Sequence, residues 1–496
     1  MSLATRLIRR LGRSRRTAPL SYAVRPRALA RPLGDLAIAL ATLTAVPAAV
    51  GVALGDGVVV GACAGVAIGL ALIGRRARAL GGKADLRTHE TLAVTTLAFA
   101  GGGLAGAVPF WFAGYGPAHG LFEAVSGVTT TGLTVTARPE EMPGAILFWR
   151  AWLQWVGGLG FTVLAVALAG GGSVAARHLA AAQGQTDDLV ANARRHVRKL
   201  FGLYAALTLA GIGALALAGL PVGEAVLFAL TAVSTAGFAP DSESAGAIDP
   251  LAGPIVLGAL MLAGAVSFTM ADRVRERGIS YLARDVELRA LVCLALGAFA
   301  LLWLASAIAG GEGPGAGDLF FVALSAQTTT GYSTLDVGAL DPASKLVLML
   351  SMLVGGDMGS TAGGMKVVRF LVVLRVVQIL VLRASLPRSA VVHLRLGPHR
   401  PSDAEALNAV AIALLFLITP PVCALPVILA GHPPLDALFD VTSALTTTGL
   451  ATGIAGPDLG PGFSLYFSAL MLVGRVEILA AIVALRPQTW IGRTPA

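Results

Sequence analysis

Four short stretches of this chain set small, mostly hydroxyl-bearing residues directly before a glycine. They are Thr129, Thr130, Thr131 and Gly132; Ser234, Thr235, Ala236 and Gly237; Thr328, Thr329, Thr330 and Gly331; and Thr446, Thr447, Thr448 and Gly449. A single run of this kind reads as a helix end, where glycine takes the left-handed backbone that stops the helix. Four runs at similar intervals form an internal repeat and have to be read together. Glycine accepts φ > 0 without steric cost, so each turn can aim its neighbouring carbonyls the same way. Four such turns about one axis would form a ring of carbonyl oxygens able to replace the hydration shell of a monovalent cation. Small side chains keep such a pore narrow, and their hydroxyls add oxygen ligands. No carboxylate lies within the four runs, which argues against a divalent-cation site.

The elements that hold these turns are those of a membrane protein. The chain has 496 residues, of which 55% are hydrophobic and only 13% charged, with a mean hydropathy of +0.77. Soluble domains carry about a quarter charged residues, and apolar runs of about 20 residues suffice to cross a bilayer. The composition therefore predicts an all-α polytopic membrane protein. After a basic tail (1–33) comes a transmembrane hairpin (34–88), with spans at Gly34 to Leu54 and Val58 to Gly74. Four pseudo-repeats follow, each reading helix, re-entrant pore helix and loop, then helix, arranged around one pore. Their bounds are 89–198, 199–289, 290–400 and 401–496, the third holding an interrupted helix and the last a C-terminal tail. The short segments, such as "AHGLFEAVSGVTTTG" and "LDALFDVTSALTTTG", are too brief to cross a bilayer. The second spans of the second and fourth repeats are expected to be continuous, over Leu251 to Ala271 and Phe463 to Leu485.

Charge orients the chain. The net charge is +9, and the first 33 residues hold nine arginines and no acid. Loops between repeats carry Arg177, Arg194, Arg195, Arg198 and Lys199, then Arg273, Arg275, Arg277, Arg284 and Arg289, then Arg383, Arg388, Arg395 and Arg400. The positive-inside rule places all of these, and both termini, in the cytoplasm. Acids flank the short segments on the other side: Glu140, Glu141, Asp241, Glu243, Asp249, Glu312, Asp318, Asp336, Asp341 and Asp458, with Arg138 and Lys345 as exceptions. An acidic outer mouth raises the local cation concentration.

The second span of the third repeat is interrupted by "GGDMGSTAGGMK" (Gly355 to Lys366). Its glycines, Gly355, Gly356, Gly359, Gly363 and Gly364, disfavour an unbroken helix. Irregular backbone cannot face lipid, so this segment must face protein or the pore. Arg475 lies within the last span, where an unpartnered charge is costly. Other chemistry lacks support. The seven histidines form no HExxH, there is no GxxxxGK[ST], and Cys63, Cys293 and Cys423 have no metal-ligand spacing. The chain does not read as an enzyme or as a nucleic-acid-binding protein.

These features resemble the superfamily of potassium transporters that includes Trk, Ktr and HKT proteins, and most closely its TrkH branch. The four glycine runs match the family's degenerate filter loops. "FWRAWLQWVGGLGFTVLAVAL" (Phe148 to Leu168), "GSTAGGMKVVR" (Gly359 to Arg369) and "LVGRVEI" (Leu472 to Ile478) match three of its helices. The resemblance implies a bacterial inner-membrane K⁺ uptake subunit, channel-like, with K⁺ as substrate at Gly132, Gly237, Gly331 and Gly449. It implies that the interrupted segment is an intramembrane gate; the cost of an unpartnered charge leads to the expectation that Arg475 touches the carbonyls of that gate and repels K⁺ when it is shut. Asp357, where the family has a small uncharged residue, is then an acidic partner for Arg475 or a contact for the passing ion. Lys366 marks the cytoplasmic end of the loop. The resemblance also implies a homodimer and a cytosolic, nucleotide-binding TrkA-type regulatory subunit, with no nucleotide on this chain. The alternative within the same fold is Na⁺- or H⁺-coupled K⁺ symport. Glycine at all four filter positions favours K⁺ over Na⁺.

Overall fold

First-turn prolines, short caps and apolar length set out the helices. A computed structural model describes residues 23–82, 86–170, 186–248, 252–310, 313–387, 394–396 and 401–491, with backbone alone at 88, 161–170 and 186–196. The arginines up to residue 16, Lys83, Arg177, His178, Asp249, Glu312, Arg388, His393, His399, Arg400 and Arg493 lie outside the described residues. The N-terminal hairpin comprises α1 (Pro26–Leu43), α2 (Ala45–Ala53) and α3 (Gly57–Leu80). Asp56 caps α3 by accepting from Val59 N at 3.0 Å. The hairpin is tied to the next helix by an Arg25–Glu90 ion pair of 2.8 Å.

Four groups of helices follow. The first is α4 (Thr88–Phe112), α5 (Pro117–Val128) and α6 (Gly144–Gly170). The second is α7 (Thr186–Leu217), α8 (Val222–Val233), α9 (Gly253–Ala265) and α10 (Met270–Arg277). The third is α11 (Val286–Ala309), α12 (Ala316–Gln327), α13 (Pro342–Leu353) and α14 (Val367–Ser385). The fourth is α15 (Asp403–Leu429), α16 (Pro434–Thr446), α17 (Pro461–Arg475) and α18 (Ile478–Leu485), closed by the single turn α19 (Pro487–Trp490). Proline opens α5, α13, α16 and α17, where its missing N–H goes unneeded.

Burial is inverted relative to helix length. The spanning helices bury only 17–44% of their most apolar windows, so most of that surface faces outward, as hydrocarbon requires. The short helices carry the core: Phe122 to Val128 on α5 and Ala437 to Thr446 on α16, apart from Leu438, are all buried.

The interruption in the third group falls where the glycines predict it. Val354–Gly355 and Met365–Lys366 form a two-residue parallel strand pair between α13 and α14. Two further breaks correct the expected continuous spans. Helices α9 and α10 meet at 94°, and α17 and α18 at 110°. The first break has a visible cause: the carbonyls of Gly264 and Ala265, at the end of α9, accept from Thr361 N and Asp357 N of the interrupted segment. The second turns on Glu477, whose φ of +68° is rare for a side-chain-bearing residue. Its carboxylate takes Arg369 at 2.9 Å.

Three inner helices bring backbone against the ends of short helices through glycine. A methyl group on Gly157, Gly264 or Gly474 would strike the carbonyl of Val128, Val233 or Leu445, respectively. Overpacking of this kind costs about 1–3 kcal/mol or more. Gly157→Ala is therefore expected to lower the melting temperature of the detergent-solubilised protein by several degrees. Gly160→Ala, whose methyl meets nothing within 4 Å, should leave it unchanged.

Candidate functional site

Each short helix ends in the same way. In the first turn, Thr131 N donates to Ser126 O; in the others, Ala236 N donates to Thr231 O, Thr330 N to Ser325 O and Thr448 N to Ser443 O, all at 2.9 Å. These bonds close the helix and occupy the main-chain donors, leaving carbonyls to point elsewhere. The glycines have φ of +87°, +79°, +90° and +98° at Gly132, Gly237, Gly331 and Gly449. Sequence reasoning placed the left-handed residue at glycine alone. The structure adds a second in every turn: Thr130, Thr235, Thr329 and Thr447 have φ between +48° and +54°. Left-handed backbone costs such a residue roughly 1–2 kcal/mol, so four copies of it mark a constraint imposed from outside the turn.

That constraint is a closed ring. A methyl on Gly132 would collide with the carbonyl oxygen of Ala236, one on Gly237 with that of Thr330, one on Gly331 with that of Thr448, and one on Gly449 with that of Thr131. Each turn thus abuts the next, and the fourth abuts the first. The sixteen residues named from sequence are brought together around one centre. All twelve non-glycine members are at most 1% exposed. A cavity of about 620 Å³ opens above the ring and is lined by all four glycines, with Asp241, Glu243 and Asp336 among its walls. The two basic exceptions on this side are neutralised: Arg138 pairs with Glu141 and Lys345 with Asp436, both at 2.7 Å.

The interrupted segment lies against the opposite side of the ring. Gly363 N donates to Thr329 Oγ1 at 2.7 Å, and Gly364 N to Thr446 O at 2.9 Å. Thr235 Oγ1 donates to Thr361 Oγ1 at 3.1 Å. Backbone comes so close that a methyl on Gly363 would overlap Thr446 O and Thr447 Oγ1, and one on Gly355 would overlap Gly363 O. Gly359 and Gly364 have φ of +85° and +61°, while Gly356 abuts Ala265 O. Among the described residues, the Thr130 and Thr447 hydroxyls are buried without a hydrogen-bond partner.

Arg475 is 1% exposed and donates from Nη1 to Thr361 O at 2.9 Å and from Nη2 to Gly157 O at 3.5 Å. It therefore meets a carbonyl of the interrupted segment, as expected. The pairing with Asp357 is not made. Asp357 instead accepts from Ser267 N at 3.3 Å, at the α9–α10 bend, while Arg475 reaches the segment at the Thr361 carbonyl. Lys366 stands at the end of the interrupted segment, where α14 begins. It is 4% exposed and folds back to donate to Ala362 O at 2.5 Å.

Three supporting residues went unseen in the sequence. Glu123, fully buried on α5, accepts from Thr134 Oγ1 at 2.6 Å, Val135 N at 2.8 Å and Thr136 Oγ1 at 3.1 Å, and pairs with buried Arg150 at 3.2 Å. Asp440 on α16 accepts from Thr452 N at 2.7 Å, Thr452 Oγ1 at 2.9 Å and Ala455 N at 2.8 Å. Both carboxylates stand nine residues before their glycine, so aligning the short segments on that glycine would have found them. Gln154, from α6, bonds to the second turn on both sides of Gly237. No alignment of the segments reveals it.

The TrkH family profile, described as a cation transport protein, matches residues 86–310 and 311–491. The Trk system potassium uptake protein TrkH of Halomonas elongata is 31% identical over 426 residues, which cover 82% of this chain and 87% of that one. TrkG of Escherichia coli, another Trk system potassium uptake protein, is 30% identical over 75% of this chain and 78% of its own length. The crystal structure of the potassium transporter TrkH from Vibrio parahaemolyticus superposes with a TM-score of 0.81 at 27% identity, over 94% of this chain and 99% of that one.

Removing one partner of a buried ion pair costs about 3–5 kcal/mol, because the other charge is left in place. Glu123→Ala is accordingly expected to lower the melting temperature markedly, and adding Arg150→Leu should recover much of the loss. A thermal-shift series on the single and double variants checks this.

Proposed function

The chain belongs to the TrkH family of cation transport proteins, and from that premise we propose that it conducts K⁺ into the cell through the ring of four glycine turns. The observation that carries this reading is the cyclic contact of each glycine with the next turn's carbonyl. A ring closed by main-chain contacts sets carbonyl oxygens about a narrow axis, the chemistry that substitutes for water around an alkali ion. The carboxylates that line the cavity, Asp241, Glu243 and Asp336, draw cations to its outer end. An inside-negative potential drives entry by about 2.3 kcal/mol per 100 mV for each charge.

The interrupted segment is the gate in this reading. It seals the inner end of the ring through Gly363 and Gly364, and Arg475 holds it through Thr361. A fixed positive charge at that depth repels a cation until the segment moves. The basic loop residues Arg273, Arg275, Arg277, Arg284 and Arg289 give the cytoplasmic face, where a nucleotide-binding regulatory subunit docks, and the protein works as a homodimer in the inner membrane with both termini inside.

Uptake of ⁸⁶Rb⁺ into proteoliposomes tests the reading. The purified protein should admit ⁸⁶Rb⁺ under an inside-negative potential with no Na⁺ gradient; dependence on a Na⁺ or H⁺ gradient would show coupled symport instead. Gly449→Ala, which adds a methyl against Thr131 O at a backbone φ of +98°, should cut uptake at least tenfold. Arg475→Ala should raise uptake severalfold in the absence of any partner; unchanged flux would remove Arg475 from the gate.

A further inference from the structure

The four turns are not built alike. In the first, third and fourth, the hydroxyls of the first and third residues bond to each other. Thr129 and Thr131, Thr328 and Thr330, and Thr446 and Thr448 are each 2.8 Å apart. Every one of these struts spans a left-handed threonine and ties the third residue, whose carbonyl faces the neighbouring glycine, to the helix end. The second turn has no such strut. Its third residue is Ala236, which has no hydroxyl. The hydroxyl of its first residue, Ser234, donates back to Leu230 O at 2.9 Å, as Thr328 and Thr446 do to the helix before them.

A side chain from elsewhere stands where the strut is missing. Gln154 Nε2 donates to Ala236 O at 2.9 Å, and Gln154 Oε1 accepts from Phe238 N at 3.1 Å. The two bonds bracket Gly237 and reach across 82 and 84 residues of sequence. Gln154 is fully buried on α6, whose backbone is itself pressed against the first turn through Gly157. The Ala236 carbonyl still meets Gly132 just as its three counterparts meet their own neighbours. The amide therefore holds the carbonyl in the ring rather than drawing it out.

We propose that Gln154 is a specificity-determining positioning residue: it fixes the Ala236 carbonyl at the radius that suits K⁺, the task that paired threonine hydroxyls perform in the other three turns. An amide is suited to this, since it supplies one donor and one acceptor in a fixed plane. Without it, among the described residues, no side-chain hydrogen bond reaches the Ala236 carbonyl or the Phe238 N–H. The ring could then contract around a smaller ion, and discrimination against Na⁺ would fall before conduction does. This inference rests on the reading that the ring conducts K⁺.

The test compares initial ⁸⁶Rb⁺ and ²²Na⁺ uptake by proteoliposomes holding wild-type protein, Gln154→Met, Ala236→Thr, or both changes together, with the melting temperature of each. Gln154→Met is expected to lower the Rb⁺/Na⁺ ratio about tenfold. Ala236→Thr alone, a change within the ring itself, sets the baseline against which the double variant is read. In the double variant it should restore most of the ratio, because a hydroxyl at position 236 faces that of Ser234. If Gln154→Met fails to fold, recovery of a folded, selective double variant carries the same support. An unchanged ratio in Gln154→Met overturns the proposal. So does a loss, in ratio or in fold, that Ala236→Thr does not repair, since Gln154 would then serve general packing. Failure of the wild-type protein to admit ⁸⁶Rb⁺ at all would instead strike the proposed function.

Discussion

Backbone packed directly on backbone is the constraint from which the rest of this protein follows. Four glycines each lie against the carbonyl of the next turn, with no space for a single added carbon. To bring four chain segments that close, everything beside them must be small or fully sequestered. The hydroxyl triplets, the buried short helices and the glycines of the inner helices answer that demand. So does the left-handed conformation of Thr130, Thr235, Thr329 and Thr447, which no local preference would select. Rings of this kind cannot be assembled piecemeal, since three turns are each completed by a neighbour 93–117 residues further on and the fourth by the first, 318 residues back.

A second constraint comes from the surrounding hydrocarbon. Backbone that leaves the helix at membrane depth must find partners inside the protein. The interrupted segment finds them in the ring itself, in the C-terminal carbonyls of α9 and in Arg475. The bend between α9 and α10 is the reciprocal of that arrangement: carbonyls freed by the bend are those the segment's N–H groups require. The same atoms thus explain an irregular loop and an irregular helix.

These two constraints also divide what the sequence disclosed from what it hid. The four turns, the broken third span and the contact of Arg475 with it were legible, because glycine content, hydropathy and a lone intramembrane charge are local signals. The bends at residues 266–269 and 476–477 were not, because their cause lies in segments far along the chain. The pairing expected of Asp357 with Arg475 failed for a similar reason: Asp357 is anchored to Ser267 at the α9–α10 bend. Glu123 and Asp440 were hidden only by reading each segment alone, since both occupy one register before the glycine. Gln154 was beyond reach, because what singles it out is a pair of bonds to a turn 82 and 84 residues along the chain.

The proposal that main-chain oxygens encircle a dehydrated alkali ion is tested most directly by locating the ion. Crystals grown in a thallous or rubidium salt should show anomalous density on the axis of the ring, level with the carbonyls of Thr131, Ala236, Thr330 and Thr448. Density confined to the carboxylates of Asp241, Glu243 and Asp336, with none on the axis, would contradict it.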